Sequence, residues 1–240
     1  MSTKTYFVSD LHLLTRRTLA AKHQHAIEKA ASKARRFILG GDIFDFHWST
    51  LNCPGKSVDT AMNWLNDLVS RHSNCEFHFV YGNHDYNQRF MRAMDSYSVG
   101  VQNLHTHRYF VRLGSSVYLH GDVADKPRLG HEQLETRRAK YLHDGIQKPW
   151  RHTVYDLAIK ARLHRVVSKL ANPKKTVAHR VAGYLNAIGN GAATGAKHVY
   201  FGHTHEPMAG YRYGGMTFHN PGAPLAGVNF RIVEAEDDAD

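Results

Sequence analysis

Five apolar runs in this 240-residue chain each stop at a short polar segment built from Asp, Asn, His and Gly. The segments are Ser9-Asp10-Leu11-His12, Gly40-Gly41-Asp42, Gly82-Asn83-His84-Asp85, His120-Gly121-Asp122 and Gly202-His203-Thr204-His205. The runs before them, Thr5 to Val8, Arg36 to Leu39, Phe77 to Tyr81, Val117 to Leu119 and His198 to Phe201, read as strands. Open α/β sheets bind ligands in the crevice beyond the carboxyl ends of their strands. The pattern therefore predicts an α/β protein in which five separate strand ends deliver polar side chains to one place.

The residue types specify a chemistry. Two divalent cations about 3.5–4 Å apart can clamp the attacking and leaving oxygens of an in-line phosphoryl displacement. Such a pair needs a bridging carboxylate together with neutral imidazole and amide donors. Asp10 and His12, two apart after a strand, can face the same mouth, and Asp42 is the natural bridge. Asn83 offers a neutral oxygen, and His120, His203 and His205 offer nitrogens of the kind that suit manganese, iron or zinc. Metal binding lowers the pKa of bound water toward neutrality, so a bridging hydroxide is the expected nucleophile.

His84 follows a proposed ligand and is expected at the rim, where it can protonate a leaving oxygen or stabilise charge on phosphorus oxygens. Asp85 is the expected carboxylate orienting that imidazole. Of the chain's 19 histidines, His23, His25, His72, His78, His131 and His198 are read as scaffold.

Asp-x-His, Gly-Asp, Gly-Asn-His-Asp, a later His and Gly-His-x-His, in that order, resemble the calcineurin-like metallophosphoesterase superfamily. The resemblance implies a four-layered α/β/β/α sandwich spanning residues 1–240. It also implies two metals, one held by Asp10, His12, Asp42 and His205 and the other by Asp42, Asn83, His120 and His203. The stretch Gly41-Asp42-Ile43-Phe44-Asp45-Phe46-His47-Trp48 is similar to the UDP-2,3-diacylglucosamine pyrophosphohydrolase group of lipid A synthesis, in which manganese is the usual metal. That likeness implies a pyrophosphate bond in a lipid-linked nucleotide sugar, met by Asn83, Asp122, Arg137, Arg138 and Lys169.

Charge is unevenly placed. Fourteen Lys and Arg stand against four acids between Lys126 and Arg180, an excess equal to the chain's whole net charge of +10. Within this segment the apolar period turns helical, with helices expected over Glu132 to His143, Val154 to Leu170 and Val177 to Ile188. We read residues 126–190 as a helical cap insertion over the metal mouth, its basic face gathering an anionic phosphorylated substrate or resting on anionic lipid headgroups. A nuclease gripping a nucleic-acid backbone is the alternative, and a non-catalytic scaffold ranks last because every ligand position is filled.

Two cysteines, Cys53 and Cys75, suit no disulfide framework. With no 18-residue apolar run and no room for a signal peptide before the first strand, a cytoplasmic protein is expected, peripheral at the inner membrane surface if the cap binds lipid. Further helices are expected over Leu19 to Ala34 and Ser57 to Arg71, with Trp64 in the core. Hairpins are expected across Gly114-Ser115 and Gly214-Gly215, a last strand over Asn229 to Val233, and a frayed acidic tail from Glu234. Oligomeric state is not encoded in any of these features.

Overall fold

Strand runs that bury both faces, as Phe37–Gly40 and Phe77–Val80 do, belong in a parallel sheet covered on each side. In the computed structural model, which describes residues 4–127, 130–143 and 173–236, they lie in the first of two five-stranded sheets. Strands β1 (Thr5–Val8), β2 (Arg36–Gly40), β3 (Glu76–Val80) and β4 (Leu104–His107) run parallel, and β10 (Val233–Ala235) pairs antiparallel with β1 at the edge. The second sheet contains β5 (Phe110–Leu113), β6 (Ser116–Leu119), β7 (His198–Tyr200), β8 (Met208–Tyr213) and β9 (Met216–Asn220), in the order β5-β6-β7-β9-β8. Its central strands β6, β7 and β9 are parallel, and hairpins turning at Gly114 and Gly214-Gly215 supply the antiparallel edges.

Helices α1 (Gln24–Ala31), α2 (Pro54–Arg71) and α3 (Gln88–Gly100) cover the outer face of the first sheet. In α2, Val58, Ala61, Leu65, Leu68 and Val69 recur at helical spacing and are all buried against Phe37, Phe77 and Phe79. Each fully buried Phe or Leu is worth roughly 1.5–3 kcal/mol. The sequence pattern missed α3 and β4. The start of α3 is fixed by Asn87, whose side chain accepts from the backbone N–H of Arg89 and Phe90 at 3.0 and 3.1 Å. Between the sheets Phe7, Ile38, Val80, Tyr118 and Tyr200 form a separate apolar layer.

The fourth layer takes one of the helices expected in the cap. Helix α5 (Lys174–Ala187) buries Val177, Ala178, Val181, Ala182 and Leu185 on Val117, Val199, Phe201 and Phe218 of the second sheet. It is therefore part of the sandwich rather than of a lid over the mouth. A sheet face as apolar as this one must be covered, and α5 covers it. Among the described residues of this segment, α4 (His131–Arg138) and the 3-10 turn Ala139–Tyr141 stand near the mouth. Glu135 ties α4 to the core, accepting from the hydroxyls of Tyr86 (2.6 Å) and Tyr109 (2.9 Å) and pairing with Arg108. The helix expected over Val154 to Leu170, and Lys169 with it, lie outside the described residues.

Two smaller differences concern the ends. The last strand is Val233–Ala235 rather than Asn229 to Val233, and Glu234, expected in a frayed tail, is exposed but paired with Lys4 at 2.8 Å. Trp64 is only partly buried, packing on Phe44 and donating to Gln24 Oε1 at 3.1 Å. Among the described residues no helix is long and apolar enough to cross a membrane.

Candidate metal centre

Because β1, β2 and β3 are parallel in one sheet and β6 and β7 in the other, their carboxyl ends open on the same side. Just beyond them, backbone hydrogen bonds lace the loops together. Asp10 N donates to Gly41 O, His12 N to Asp42 O and Gly202 N to His120 O, at 2.7–2.9 Å. The carboxylates are held the same way. Asp10 accepts from Ser9 Oγ (2.5 Å) and His203 N (2.9 Å), and Asp42 accepts from His84 N (2.8 Å).

The side chains fall into two converging groups. In the first, His12 Nε2 lies 3.1 Å from His205 Nε2, which lies 3.3 Å from Asp10 Oδ1. In the second, His120 Nε2 lies 3.1 Å from Asn83 Oδ1, 3.2 Å from His203 Nδ1 and 3.3 Å from Asp42 Oδ2. Asp10, His12, Asp42, Asn83 and His120 are all buried. The seven expected ligands are thus brought to one mouth; the Asp42 carboxylate faces the second group through His120, while toward the first group its backbone carbonyl accepts from His12 N.

The donors suit divalent cations. Imidazole lone pairs aimed at one another and at carboxylates repel unless a proton or a cation lies among them, and this mixture of N and O donors matches manganese, iron and zinc. Backbone strain points the same way. Among the described residues only seven non-glycine positions have positive φ, and five are Asp10, His12, Asp42, His203 and His205, between 45° and 66°. Each costs on the order of 1–3 kcal/mol, and such strain concentrates at functional sites. Close approach requires two of the motif glycines. A Cβ on Gly82 would lie 2.2 Å from Asp42 Oδ1, and one on Gly202 would lie 2.0 Å from Asp10 Oδ2.

Charge is concentrated here. Burial alone would raise the Asp42 carboxyl, but His120 and His84 outweigh it and hold Asp42 well below the usual range. Reciprocally, burial disfavours charged imidazoles, yet Asp42 pushes His120 up to about 10, and Asp45 with Asp42 pushes His84 up to about 9. A cation bound beside Asp42 displaces the proton on the ligand His120, so affinity rises with pH.

Two further carboxylates, Asp45 and Asp125, set the orientation of the imidazoles, and here the structure differs from expectation. Asp45, not Asp85, faces His84, at 3.0 Å from Nδ1, and its other oxygen lies 3.6 Å from His12 Nδ1. Asp85 instead accepts from the backbone N–H of Phe44 (2.8 Å) and Gly82 (3.1 Å), clamping two motif loops together. Burial, helped by Asp42, pushes the Asp85 carboxyl up to about 7. Asp125 accepts at 2.7 Å from His203 Nε2, turning Nδ1 toward the cluster, and pairs with Arg137. Asn220, at the end of β9, donates to Gly202 O at 2.9 Å and so braces the last motif.

The expected substrate contacts fare unevenly. Asp122 and Arg138 are 4% and 1% exposed and bind each other through two 2.8 Å hydrogen bonds at the floor of a small cleft bordered by Asn83 and His203. Arg137 is engaged by Asp125 at the rim. Tyr141, not expected at the site, lies with its ring 5.4 Å from that of His84.

A family model described as calcineurin-like phosphoesterase matches residues 3–207. The chain belongs to that family. A calcineurin-like phosphoesterase with two sheets, flanking helices and clustered imidazoles and carboxylates is a metal-dependent phosphoester hydrolase. It is 26% identical to a UDP-2,3-diacylglucosamine hydrolase of Histophilus somni over 72% of this chain and 69% of that one. It is also 26% identical to the UDP-2,3-diacylglucosamine hydrolase of Pasteurella multocida, over 84% and 82%. A dimetal phosphatase from Danio rerio superposes with a TM-score of 0.46 at 12% identity, covering 92% of this chain and 88% of that one.

Proposed function

We propose that this phosphoesterase hydrolyses a pyrophosphate bond in a nucleotide- or lipid-linked small molecule, using two manganese ions held by Asp10, His12, Asp42, Asn83, His120, His203 and His205. The observation that carries the reading is the convergence of those donors into two groups that share one mouth. Similarity to two hydrolases of UDP-2,3-diacylglucosamine over most of their length supports the substrate class.

When bound, the metal pair supplies Lewis acidity at phosphorus and acidifies water. The chain's own groups do the rest. His84, a fifth exposed at the rim, presents Nε2 to the leaving oxygen while Asp45 fixes Nδ1 at 3.0 Å and favours the charged, proton-donating imidazolium. Asp125 and Asn220 hold the His203–His205 loop in place. The cleft over His12 and His84 offers about 110 Å³, room for a phosphoryl group but not for a sugar nucleotide, which needs on the order of 300–1,000 Å³. The rest of the substrate therefore extends along Arg17 and Trp48 on one side or Tyr141 on the other.

The test is a comparison of UDP-2,3-diacylglucosamine, simple nucleotides and single-stranded nucleic acid as substrates with manganese present. Preferential release of a monophosphate from the nucleotide-linked lipid is expected. Preferential cleavage of nucleic acid, falling steeply with salt, would replace this reading with a nuclease.

A further inference from the structure

His198 and His219, away from the motif loops, meet Glu236 in a second kind of cluster. Period-two alternation puts His198 on the same face of β7 as Tyr200, and Tyr200 pairs with His219 of β9. That face looks toward the first sheet, where Tyr200 packs with Phe7. Glu236 arrives from the other sheet, one residue after β10. Its backbone is pinned at both ends, the N–H donating to Tyr200 Oη at 2.8 Å and the carbonyl accepting from Ser116 Oγ at 3.0 Å. The His219 ring is fixed by stacking on Tyr200, centroids 4.6 Å apart and planes within 15°.

One ligand atom from each of the three residues lies within 4.8 Å of the others, and His198 Nε2 is 3.3 Å from Glu236 Oε2. Tetrahedral zinc with ligands at 2.0–2.2 Å sets its donors about 3.3–3.6 Å apart. The buried ring nitrogen His219 Nε2 has no hydrogen-bond partner among the described residues. Buried polar atoms are seldom left so, and an unplaced ion is one of the ordinary reasons. Glu236 is two-thirds exposed, which leaves an entry path and a position for water.

We propose that His198, His219 and Glu236 form a third cation site, separate from the catalytic pair, that takes a borderline divalent ion such as Zn²⁺ and clips one sheet to the other. Two imidazoles and one carboxylate with an open position form a familiar zinc ligand set. Because a folded-state ligand stabilises in proportion to its occupancy, the site makes thermal stability depend on zinc.

The test measures zinc per chain by elemental analysis, and thermal unfolding with and without zinc, in the wild type, Glu236→Gln and His198→Ala. Glu236 is exposed, so its variant leaves the core intact. Both variants are expected to hold one equivalent fewer than the wild type, to lose part of the zinc-dependent rise in unfolding temperature, and to hydrolyse a generic phosphodiester at the wild-type rate. In an Asp42→Ala background, where the catalytic pair is disrupted, the equivalent removed by Glu236→Gln is expected to persist. Equal zinc content in the wild type and both variants would overturn the proposal and leave the cluster an ordinary ion pair.

Discussion

Replacing Arg138 separates a structural role from a substrate contact. Its guanidinium makes two 2.8 Å hydrogen bonds to Asp122 and one of 2.7 Å to the carbonyl of Arg108, and is 1% exposed. Burial disfavours charge at Asp122, but Arg138 outweighs it and keeps the carboxyl below its ordinary value. In Arg138→Met that carboxylate remains buried without its partner, a change that typically costs about 3–5 kcal/mol. Against a total stability of roughly 5–15 kcal/mol this is a large fraction. For a chain of this size each kcal/mol moves the midpoint by about 2–4 °C, so a fall of about 6–20 °C is expected. Adding Asp122→Leu removes the stranded charge and should recover much of the loss. Thermal unfolding followed by circular dichroism gives the midpoints, and KM measured well below the transition tests substrate contact. A midpoint within about 2 °C of the wild type, together with a tenfold rise in KM, would refute the reasoning and return Arg138 to the substrate.

Three further outcomes are expected. His84→Ala should keep its metal content and lose about 10²–10⁴-fold in turnover, with Asp45→Asn intermediate, as read by metal analysis beside kcat. Gly82→Ala should abolish metal binding although the change is a single methyl, because its Cβ would overlap Asp42 Oδ1; titration with manganese checks this. Acid should destabilise the fold through His78 and His107, whose rings share a 3.0 Å hydrogen bond and which burial pushes down to about 4. Their folded pKa lies below the unfolded 6.5, so the neutral rings contribute fully above that pH and the contribution is lost from 6.5 toward 4. Urea midpoints should therefore fall faster with acid in the wild type than in His107→Asn.

Much of the centre was legible because its signals are local. A strand end followed by Asp-x-His or Gly-His-x-His places donors within a few residues, and the order of the five segments carries across the chain. What sequence did not reveal depends on contacts between distant elements. Sequence points to Asp85 for His84 because it is the neighbour in the chain. The loop turns adjacent side chains apart, and Asp45 arrives from the motif after β2. Asp125 and Asn220 meet the His203 loop from distant positions that no local pattern marks. Helix α5 has the periodicity expected of a cap helix, and only the apolar face of the second sheet that it covers assigns it to the sandwich. Arg138 and Asp122 looked like substrate-facing charges until burial paired them. His198 reads as scaffold in sequence, since its companions His219, on β9, and Glu236, just past β10, are distant in the chain.

The central claim, that the motif side chains hold a pair of cations, is tested most directly by anomalous diffraction from manganese-soaked crystals of the wild type and Asp42→Ala. The account predicts two anomalous peaks about 3.5–4 Å apart in the wild type, one beside Asp10, His12 and His205 and the other beside Asn83, His120 and His203, with Asp42 between them. In Asp42→Ala at least one peak should vanish together with hydrolysis. A wild-type crystal with no peak among these residues, from protein that still turns over substrate, would contradict it.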